Sequence, residues 1–210
     1  MTVKGPVGED YSNSIAVYGG AFDPFHLGHA SVIKHLVDTI GFGSVIVVPS
    51  GTRPDKDLCG SAEHRLAMTR IGVQQCFGED GRIAVSDVHV SGRLGYGTID
   101  LVRYFNDIQE SDVYIVIGSE LVSALTHWKS QEQLQTEARF IVIPRPGESA
   151  DFEIGAQWRL TLAEPLGADG SEISSSEIRT MWRRNEDIAH AVPSTVADYI
   201  RSNQLYLSGR

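Results

Sequence analysis

The sequence predicts an α/β protein with an open, mostly parallel sheet and helices on both faces. Short apolar runs alternate with segments of helical periodicity along the chain, and several of these runs end at glycine. Strands that alternate with helices form sheets of this kind, covered by helices on both sides. Continuous apolar runs such as residues 44–49 and 113–117 are typical of strands buried on both faces.

Apolar spacing and capping residues define the individual elements. A stripe of apolar side chains at helical spacing ends before Gly41, a typical helix terminator. Ser61 and Ser130 stand where serine caps a helix, and Pro193 occupies a first-turn position. The predicted strands are residues 15–18, 44–49, 82–90, 113–117, 140–143 and 160–163. The predicted helices are residues 29–40, 61–76 and 98–108, two short helices before residue 139, and two that start near Ser175 and at Pro193.

Composition excludes several classes of protein. The chain has 210 residues with 18 basic and 27 acidic side chains, a formal net charge of −9. This length favours one domain, so we expect a flexible leader at residues 1–13 and a single domain at residues 14–210. A nucleic-acid-binding module is disfavoured because it needs a basic face. Two cysteines, no spanning apolar run and no secretory signal predict a cytoplasmic protein without a membrane partner.

The most informative segment is GGAFDPFHLGH at residues 19–29. It follows the first strand, where open parallel sheets bind ligands, and its glycine pair allows backbone amides to approach a ligand. His26 and His29 lie three residues apart at a helix start, where free N–H groups and the helix dipole attract anions. The plainer alternative is a structural loop with two surface histidines. A zinc site lacks a third ligand at a typical interval.

A second segment, ISSSEIR at residues 173–179, has the composition of a phosphate site. Its three serines offer hydroxyls and free backbone amides at a helix start, and Arg179 offers a planar guanidinium. Alone, this segment is typical of a helix cap with a surface arginine. Together with the histidine segment, it favours a site for a polyphosphate.

These two segments resemble the nucleotidyltransferases with a histidine signature. Trp128, the RPG at residues 145–147 and the C-terminal residues 192–206 resemble, more narrowly, the nicotinate-mononucleotide adenylyltransferases. The resemblance implies a Rossmann-like sheet of the nucleotidyltransferase type. It also implies that the protein joins ATP and nicotinate mononucleotide, giving deamido-NAD and pyrophosphate, in NAD biosynthesis. Mg²⁺ would be bound mainly through the ATP phosphates and by no protein side chain.

The resemblance implies a role for each matching residue. His26, His29 and Arg179 would be catalytic and hold the ATP phosphates, with His29 nearest the reacting centre. The further residues implied to bind ATP or its phosphates are Gly19, Gly20, Ala21, Phe22, Lys56, Gly118, Ser174, Ser175, Ser176 and Ile178. Those implied to bind the pyridine nucleotide are Thr98, Ile99, Glu120, Trp128 and Arg145. Trp128 would stack on the pyridine ring, and the helix-start amides near Thr98 would meet its carboxylate.

The chain departs from the family pattern at four places, which are Ala21, Asp55, Tyr96-Gly97 and Glu120. These departures bear on the pyridine substrate more than on the adenylyl chemistry. Two alternatives therefore stay open. One is a sister transferase that uses nicotinamide mononucleotide or another phosphorylated acceptor, and the other is a non-catalytic nucleotide sensor. The sequence also leaves open whether the protein forms a homo-oligomer.

Overall fold

Six parallel strands form the centre of the fold in this computed structural model, which describes residues 9–52, 58–144, 157–166 and 174–207. The strands are β1 (Ser14–Gly20), β2 (Ser44–Pro49), β3 (Ile83–Val85), β4 (Asp112–Gly118), β5 (Arg139–Ile143) and β6 (Leu160–Leu162). They are ordered β3-β2-β1-β4-β5-β6, and each pairing is parallel. The strand order reverses between β1 and β4, so the ligand crevice of such a sheet lies outside their carboxyl ends.

Helices and helical turns connect these strands. They are α1 (Leu27–His35), α2 (Ala62–Phe77), α3 (Thr98–Ile108), α4 (Gln131–Glu137), α5 (Ser175–Arg183) and α6 (Ser194–Ser202). A π-helical turn (Leu36–Ile40) continues α1, and two 3-10 turns (Ser119–Leu121 and Ser123–His127) precede α4. Within the described ranges, we find no helix with the length and apolar character needed to cross a bilayer.

Both faces of the sheet are buried, as the continuous apolar strands predict. Val17 and Ile115 pack on one face in a cluster that includes Phe105 of α3. Their neighbours Ala16 and Val116 pack on the opposite face, in a cluster that also contains apolar side chains of α1. Because successive strand residues point to opposite faces, two separate cores require helices on both sides. The predicted open α/β architecture is confirmed.

Three local predictions are wrong, each for a physical reason. The third strand ends at Val85 instead of residue 90, because β3 is an edge strand and its pairing with β2 stops after three residues. Ser130 does not cap α4 with its side chain, since it adopts a left-handed backbone conformation with φ of 59°. Pro193 lies at the N-cap of α6 and not within its first turn. By contrast, Gly41 ends the first helical segment with a positive φ of 86°, as predicted.

The segment before β1 is tied to the sheet by Tyr11. Tyr11 is only 2% exposed, and its ring lies 4.8 Å from that of Phe42 and 5.3 Å from that of Tyr114. Its carbonyl accepts hydrogen bonds from the N–H of Ser14 and of Gly43. Packed structure therefore includes Tyr11, inside the predicted leader, while residues 1–8 lie outside the described residues. The domain boundary itself stays a prediction.

We predict that Gly43→Ala destabilises the protein. A Cβ at this position would lie 1.9 Å from the carbonyl oxygen of Ser12, so the backbone must shift. Overpacking of this kind costs about 1–3 kcal/mol of unfolding free energy, measurable by urea denaturation. Gly81→Ala is the matched control, because a Cβ there meets nothing within 4 Å. Equal urea midpoints for the two variants would contradict the prediction.

Candidate active site

The loop after β1 places His26 and His29 at the start of α1 in a reciprocal capping box. The N–H of His26 donates to Nδ1 of His29 (3.2 Å), and the N–H of His29 donates to Nδ1 of His26 (3.3 Å). The two rings stack with centroids 3.6 Å apart. Because each Nδ1 accepts, we assign the proton of each neutral imidazole to Nε2. The backbone thus fixes the tautomer that provides two N–H donors beside a helix N-terminus.

Aromatic packing holds this pair in place. The ring of Phe22 lies 4.8 Å from that of His29, nearly perpendicular to it, and the ring of Phe25 lies 5.6 Å away. Phe22 adopts a positive φ of 50°, which directs its side chain back onto Gly20. A Cβ at Gly20 would lie 2.9 Å from the Phe22 ring. Gly20 is therefore needed for close packing in this turn, in addition to any contact with a nucleotide.

The carboxylate of Asp23, in the same loop, is buried and accepts hydrogen bonds from three residues of other segments. No role of this kind was predicted from the sequence. Its Oδ2 accepts from the N–H of Cys59 (2.8 Å), and its Oδ1 accepts from the N–H of Gly60 (3.0 Å) and the phenol of Tyr206 (2.7 Å). Only 2% of Asp23 is exposed. Burial is the main cause that raises the pKa of the Tyr206 phenol, and the neighbouring Asp23 carboxylate raises it further. A carboxylate between the apolar Phe22 and Pro24 was the available signal, since a buried charge needs dedicated partners.

The serine-rich segment begins α5 with a second capping box. Ser174 accepts from the N–H of Glu177 (3.2 Å), and the Glu177 carboxylate accepts from the N–H and the hydroxyl of Ser174 (2.7 Å each). These hydrogen bonds from Ser174 lower the pKa of Glu177. The Ser174 side chain thus already has a structural role at the helix start, which the sequence analysis did not assign to it.

The two distant segments meet at this helix start. The hydroxyl of Ser175 donates to the carbonyl of Pro24 (3.1 Å), and Nη1 of Arg179 donates to the carbonyl of Asp23 (2.6 Å). Nη2 of Arg179 donates to the hydroxyl of Ser176 (3.3 Å). The structure therefore brings the predicted phosphate-binding serines and arginine onto the loop that leads to the histidine pair.

Arg65 of α2 connects this loop with the end of β2. Its guanidinium donates to the carbonyls of Gly60 (3.1 Å), Ala21 (2.8 Å) and Gly51 (2.9 Å), and to the hydroxyl of Ser50 (3.1 Å). Arg65 is 1% exposed, so these bonds form in a nearly water-free setting. No role was predicted for Arg65 from the sequence. Its position within a helix gave no indication of which loops it reaches.

Two of the residues predicted to bind the pyridine nucleotide, Thr98 and Ile99, lie at the start of α3. Gly97 is the N-cap of this helix and Thr98 its first residue. The Nζ of Lys129 lies 5.4 Å from the centroid of the Tyr96 ring. This contact joins the segment before Thr98 to the one that carries Trp128. Trp128 is half-buried, with one edge against the core aromatic Phe140.

Glu120 lies in the first 3-10 turn after β4, close to the glycine that ends that strand. A Cβ at Gly118 would lie 2.0 Å from the Glu120 carboxylate, so this side chain folds back over Gly118. A larger residue at the end of β4 would displace the Glu120 carboxylate from this position. The implied contacts of Gly118 with ATP and of Glu120 with the pyridine nucleotide stay predictions.

Four other predicted residues are placed differently or lie outside the described ranges. Ile99 and Ile178 are buried in the core, so any contact with a nucleotide would use their backbone. Lys56 and Arg145 lie outside the described residues, and so does Asp55. The nucleotide-binding roles of all these residues stay predictions.

The sheet order, the paired imidazoles after β1 and the serine–arginine helix start define a nucleotidyltransferase of Rossmann-like fold. The sequence pattern of a family described as Cytidylyltransferase-like matches residues 17–181. The chain belongs to this family and, within it, to the nicotinate-nucleotide adenylyltransferases.

Individual relatives support this assignment over nearly the whole chain. A protein of Opitutus terrae is 33% identical, covering 91% of this chain and 97% of its own, and one of Leifsonia xyli subsp. xyli is 30% identical, covering 92% and 94%. Both are named "Probable nicotinate-nucleotide adenylyltransferase". The nicotinic acid mononucleotide adenylyltransferase of Plasmodium falciparum, solved with NaAD, superposes with a TM-score of 0.81 at 26% identity, covering 92% of this chain and 97% of that one.

We predict that His29→Ala lowers nucleotidyl-transfer turnover by about 10²–10³-fold, because one preorganised donor is lost where charge develops. The KM for ATP should change much less, since Arg179 and the helix start remain. Steady-state kinetics measure both quantities. Loss of the helix cap costs about 1 kcal/mol, so a thermal melt should show a folded variant. Wild-type turnover in this variant would remove His29 from the mechanism.

Proposed function

We propose that the protein transfers the adenylyl group of ATP to nicotinate mononucleotide, giving deamido-NAD and pyrophosphate, as a step of NAD biosynthesis in the cytoplasm. The observation that carries this proposal is the convergence of the histidine pair and the Arg179 helix start on the loop after β1. The names of the relatives supply the acceptor, and the Plasmodium falciparum enzyme was solved with NaAD.

The reaction needs positioning more than proton transfer. A phosphomonoester has a second pKa of about 6, so an oxygen of the acceptor phosphate is already anionic at neutral pH. That oxygen attacks the α-phosphorus of ATP, and the bond from this phosphorus to the bridging oxygen of the β-phosphate breaks. Pyrophosphate leaves with the electron pair. The protein must bring two anions together and stabilise the charge that spreads over the transferring group.

The described residues supply positive potential and N–H donors for this task. The Nε2–H groups of His26 and His29 stand at the positive end of the α1 dipole. Arg179, with Ser176 beside it, adds a permanent cation across the loop. We assign the α-phosphate region to His29 and the β- and γ-phosphates to Ser176 and Arg179. Preorganised donors of this kind lower the barrier because they need not reorient during the reaction.

Mg²⁺ fits this site as an ion held by the substrate. In the part of the chain that the structure describes, no group of three or more histidine, cysteine or acidic side chains is placed to hold a metal ion. The carboxylate of Asp23 is already used by donors from Cys59, Gly60 and Tyr206. Mg²⁺ is commonly bound through substrate phosphates and water. We propose that it is held mainly by the ATP phosphates, whose charge it would neutralise.

A lysine beside the predicted pyridine site favours the acid over the amide. The ammonium group of Lys129 lies over the ring of Tyr96. Tyr96 is two residues before Thr98, the first residue of α3. A cation near the start of α3 attracts a carboxylate more than a neutral carboxamide. We therefore propose nicotinate mononucleotide, and not nicotinamide mononucleotide, as the preferred acceptor.

We predict that Lys129→Gln lowers kcat/KM for nicotinate mononucleotide by about twofold to fivefold, as expected for a solvent-accessible ion pair worth up to about 1 kcal/mol. The kcat/KM for nicotinamide mononucleotide should change by less than about twofold, because its neutral carboxamide forms no ion pair with Lys129. Lys34→Gln is the matched control, because Lys34 is an exposed lysine of α1 paired with Asp38. An equal loss with both acceptors would contradict a role in carboxylate recognition.

The activity itself is tested by an assay with ATP, Mg²⁺ and three separate acceptors, with pyrophosphate release as the readout. The acceptors are nicotinate mononucleotide, nicotinamide mononucleotide and phosphopantetheine. We expect release with nicotinate mononucleotide and a dinucleotide product, both abolished by chelating Mg²⁺ with EDTA. Release with nicotinamide mononucleotide alone would indicate a sister transferase. Retained ATP binding without release from any acceptor would indicate a nucleotide sensor.

A further inference from the structure

We propose that Tyr206, near the C-terminal end of the described chain, is a positioning residue for Arg179 and acts through the buried carboxylate of Asp23. The inference rests on the proposed role of Arg179 in binding the ATP phosphates. It gives a function to a side chain whose ring lies in the core formed by α2, α5 and α6. The hydroxyl group of Tyr206 is the part that reaches the site.

The first link is the hydrogen bond from Tyr206 to Asp23. The phenol donates to Oδ1 at 2.7 Å across 183 residues of sequence, and it also lies 3.9 Å from the sulfur of Met68. The N–H groups of Cys59 and Gly60 complete the set of donors to this carboxylate. Burial raises the pKa of the Tyr206 phenol, so the phenol keeps its proton and donates at neutral pH.

The second link is the contact between Asp23 and Arg179. Nη1 of Arg179 donates to the backbone carbonyl of Asp23, while the same nitrogen stays 4.0 Å from carboxylate Oδ2. The guanidinium therefore touches the loop without closing into a full ion pair with the carboxylate. Its Nε is buried and has no hydrogen-bond acceptor among the described residues. The position of this cation thus depends on a small number of neighbours.

These two links predict a competition for the carboxylate. In the native arrangement, the phenol and two backbone N–H groups hold Asp23 away from the guanidinium. Without the phenol, Oδ1 loses a charge-assisted hydrogen bond and the carboxylate gains by turning toward Arg179. Arg179 would then pair with Asp23 at the expense of a phosphate. Tyr206 accordingly keeps Arg179 available for ATP.

The C-terminal segment is itself fastened to the helix that carries Arg179. The indole N–H of Trp182 in α5 donates to the carbonyl of Leu205 at 3.0 Å. The N–H of Leu205 donates to the carbonyl of Ile200 in α6. Tyr206 therefore moves with α5 and α6 as one packed unit, and its hydroxyl is held at a fixed position relative to Arg179.

A double-mutant cycle on MgATP binding, measured by isothermal titration calorimetry, tests the proposal. Tyr206→Phe removes one oxygen and keeps the ring, and we expect its affinity for MgATP to fall about tenfold, as for a lost hydrogen bond to a charged group. In the Arg179→Ala background, the same substitution should change affinity by less than about twofold, because its target is gone. Tyr199→Phe is the matched control, since it removes a phenol that contacts His64 at 3.0 Å.

Each outcome decides the question. An equal loss for Tyr206→Phe in both Arg179 backgrounds, or an unchanged affinity in the wild-type background, overturns the proposal. If Arg179→Ala alone keeps the wild-type affinity for MgATP, the phosphate role of Arg179 is overturned, and this inference with it. If Arg179→Ala binds MgATP more weakly but Tyr206→Phe binds it as the wild type does, only the inference is overturned. Should Tyr206→Phe fail to fold by circular dichroism, Asp23→Asn in the same cycle tests the link from the carboxylate side. The binding readout needs no acceptor, so it is independent of the choice of pyridine nucleotide.

Discussion

The candidate active site depends on two buried charged side chains that both hydrogen-bond to the backbone of Gly60. The N–H of Gly60 donates to Asp23, and the carbonyl of Gly60 accepts from Arg65. A buried charge is costly unless its hydrogen bonds are satisfied, so both side chains need the loops that supply their partners. Arg65 holds the ends of β1 and β2, and the backbone carbonyl of Asp23 accepts from Arg179 of α5. The loops are consequently fixed relative to one another before any substrate binds.

This rigidity has a direct consequence for the proposed chemistry. Donors that are already oriented stabilise developing charge without a reorganisation cost, and the two capping boxes orient them here. In the first box, His26 and His29 fix the tautomer of each other. In the second, Ser174 and Glu177 fix the start of α5, and Ser175 and Arg179 contact the loop after β1. Each helix start thus combines a structural cap with a potential phosphate contact.

Much of this arrangement could be predicted from local sequence. The strands at Ser44–Pro49 and Asp112–Gly118 and the helix at Thr98–Ile108 are marked by apolar runs and periodicity, and the structure confirms them within one residue at each end. The histidine and serine segments were identified from their residue types, their spacing and their positions at helix starts. The edge strand β3 was overestimated because periodicity does not show how long a partner strand is. Asp23, Arg65 and Tyr206 were missed because their partners, apart from Gly60 beside Arg65, lie 14 to 183 residues away.

The sequence by itself determined the alternation of strands and helices, the two glycine breaks at the sheet rim and the chemical types needed to bind a polyphosphate, because these are properties of short segments. Only the tertiary structure decided that Asp23 and Tyr206 meet, that Arg65 joins two loops, and that Lys129 lies over Tyr96. Such contacts arise from the order of strands in the sheet and the docking of α5 and α6. Their geometry is set by packing between elements, which no local pattern of residues encodes.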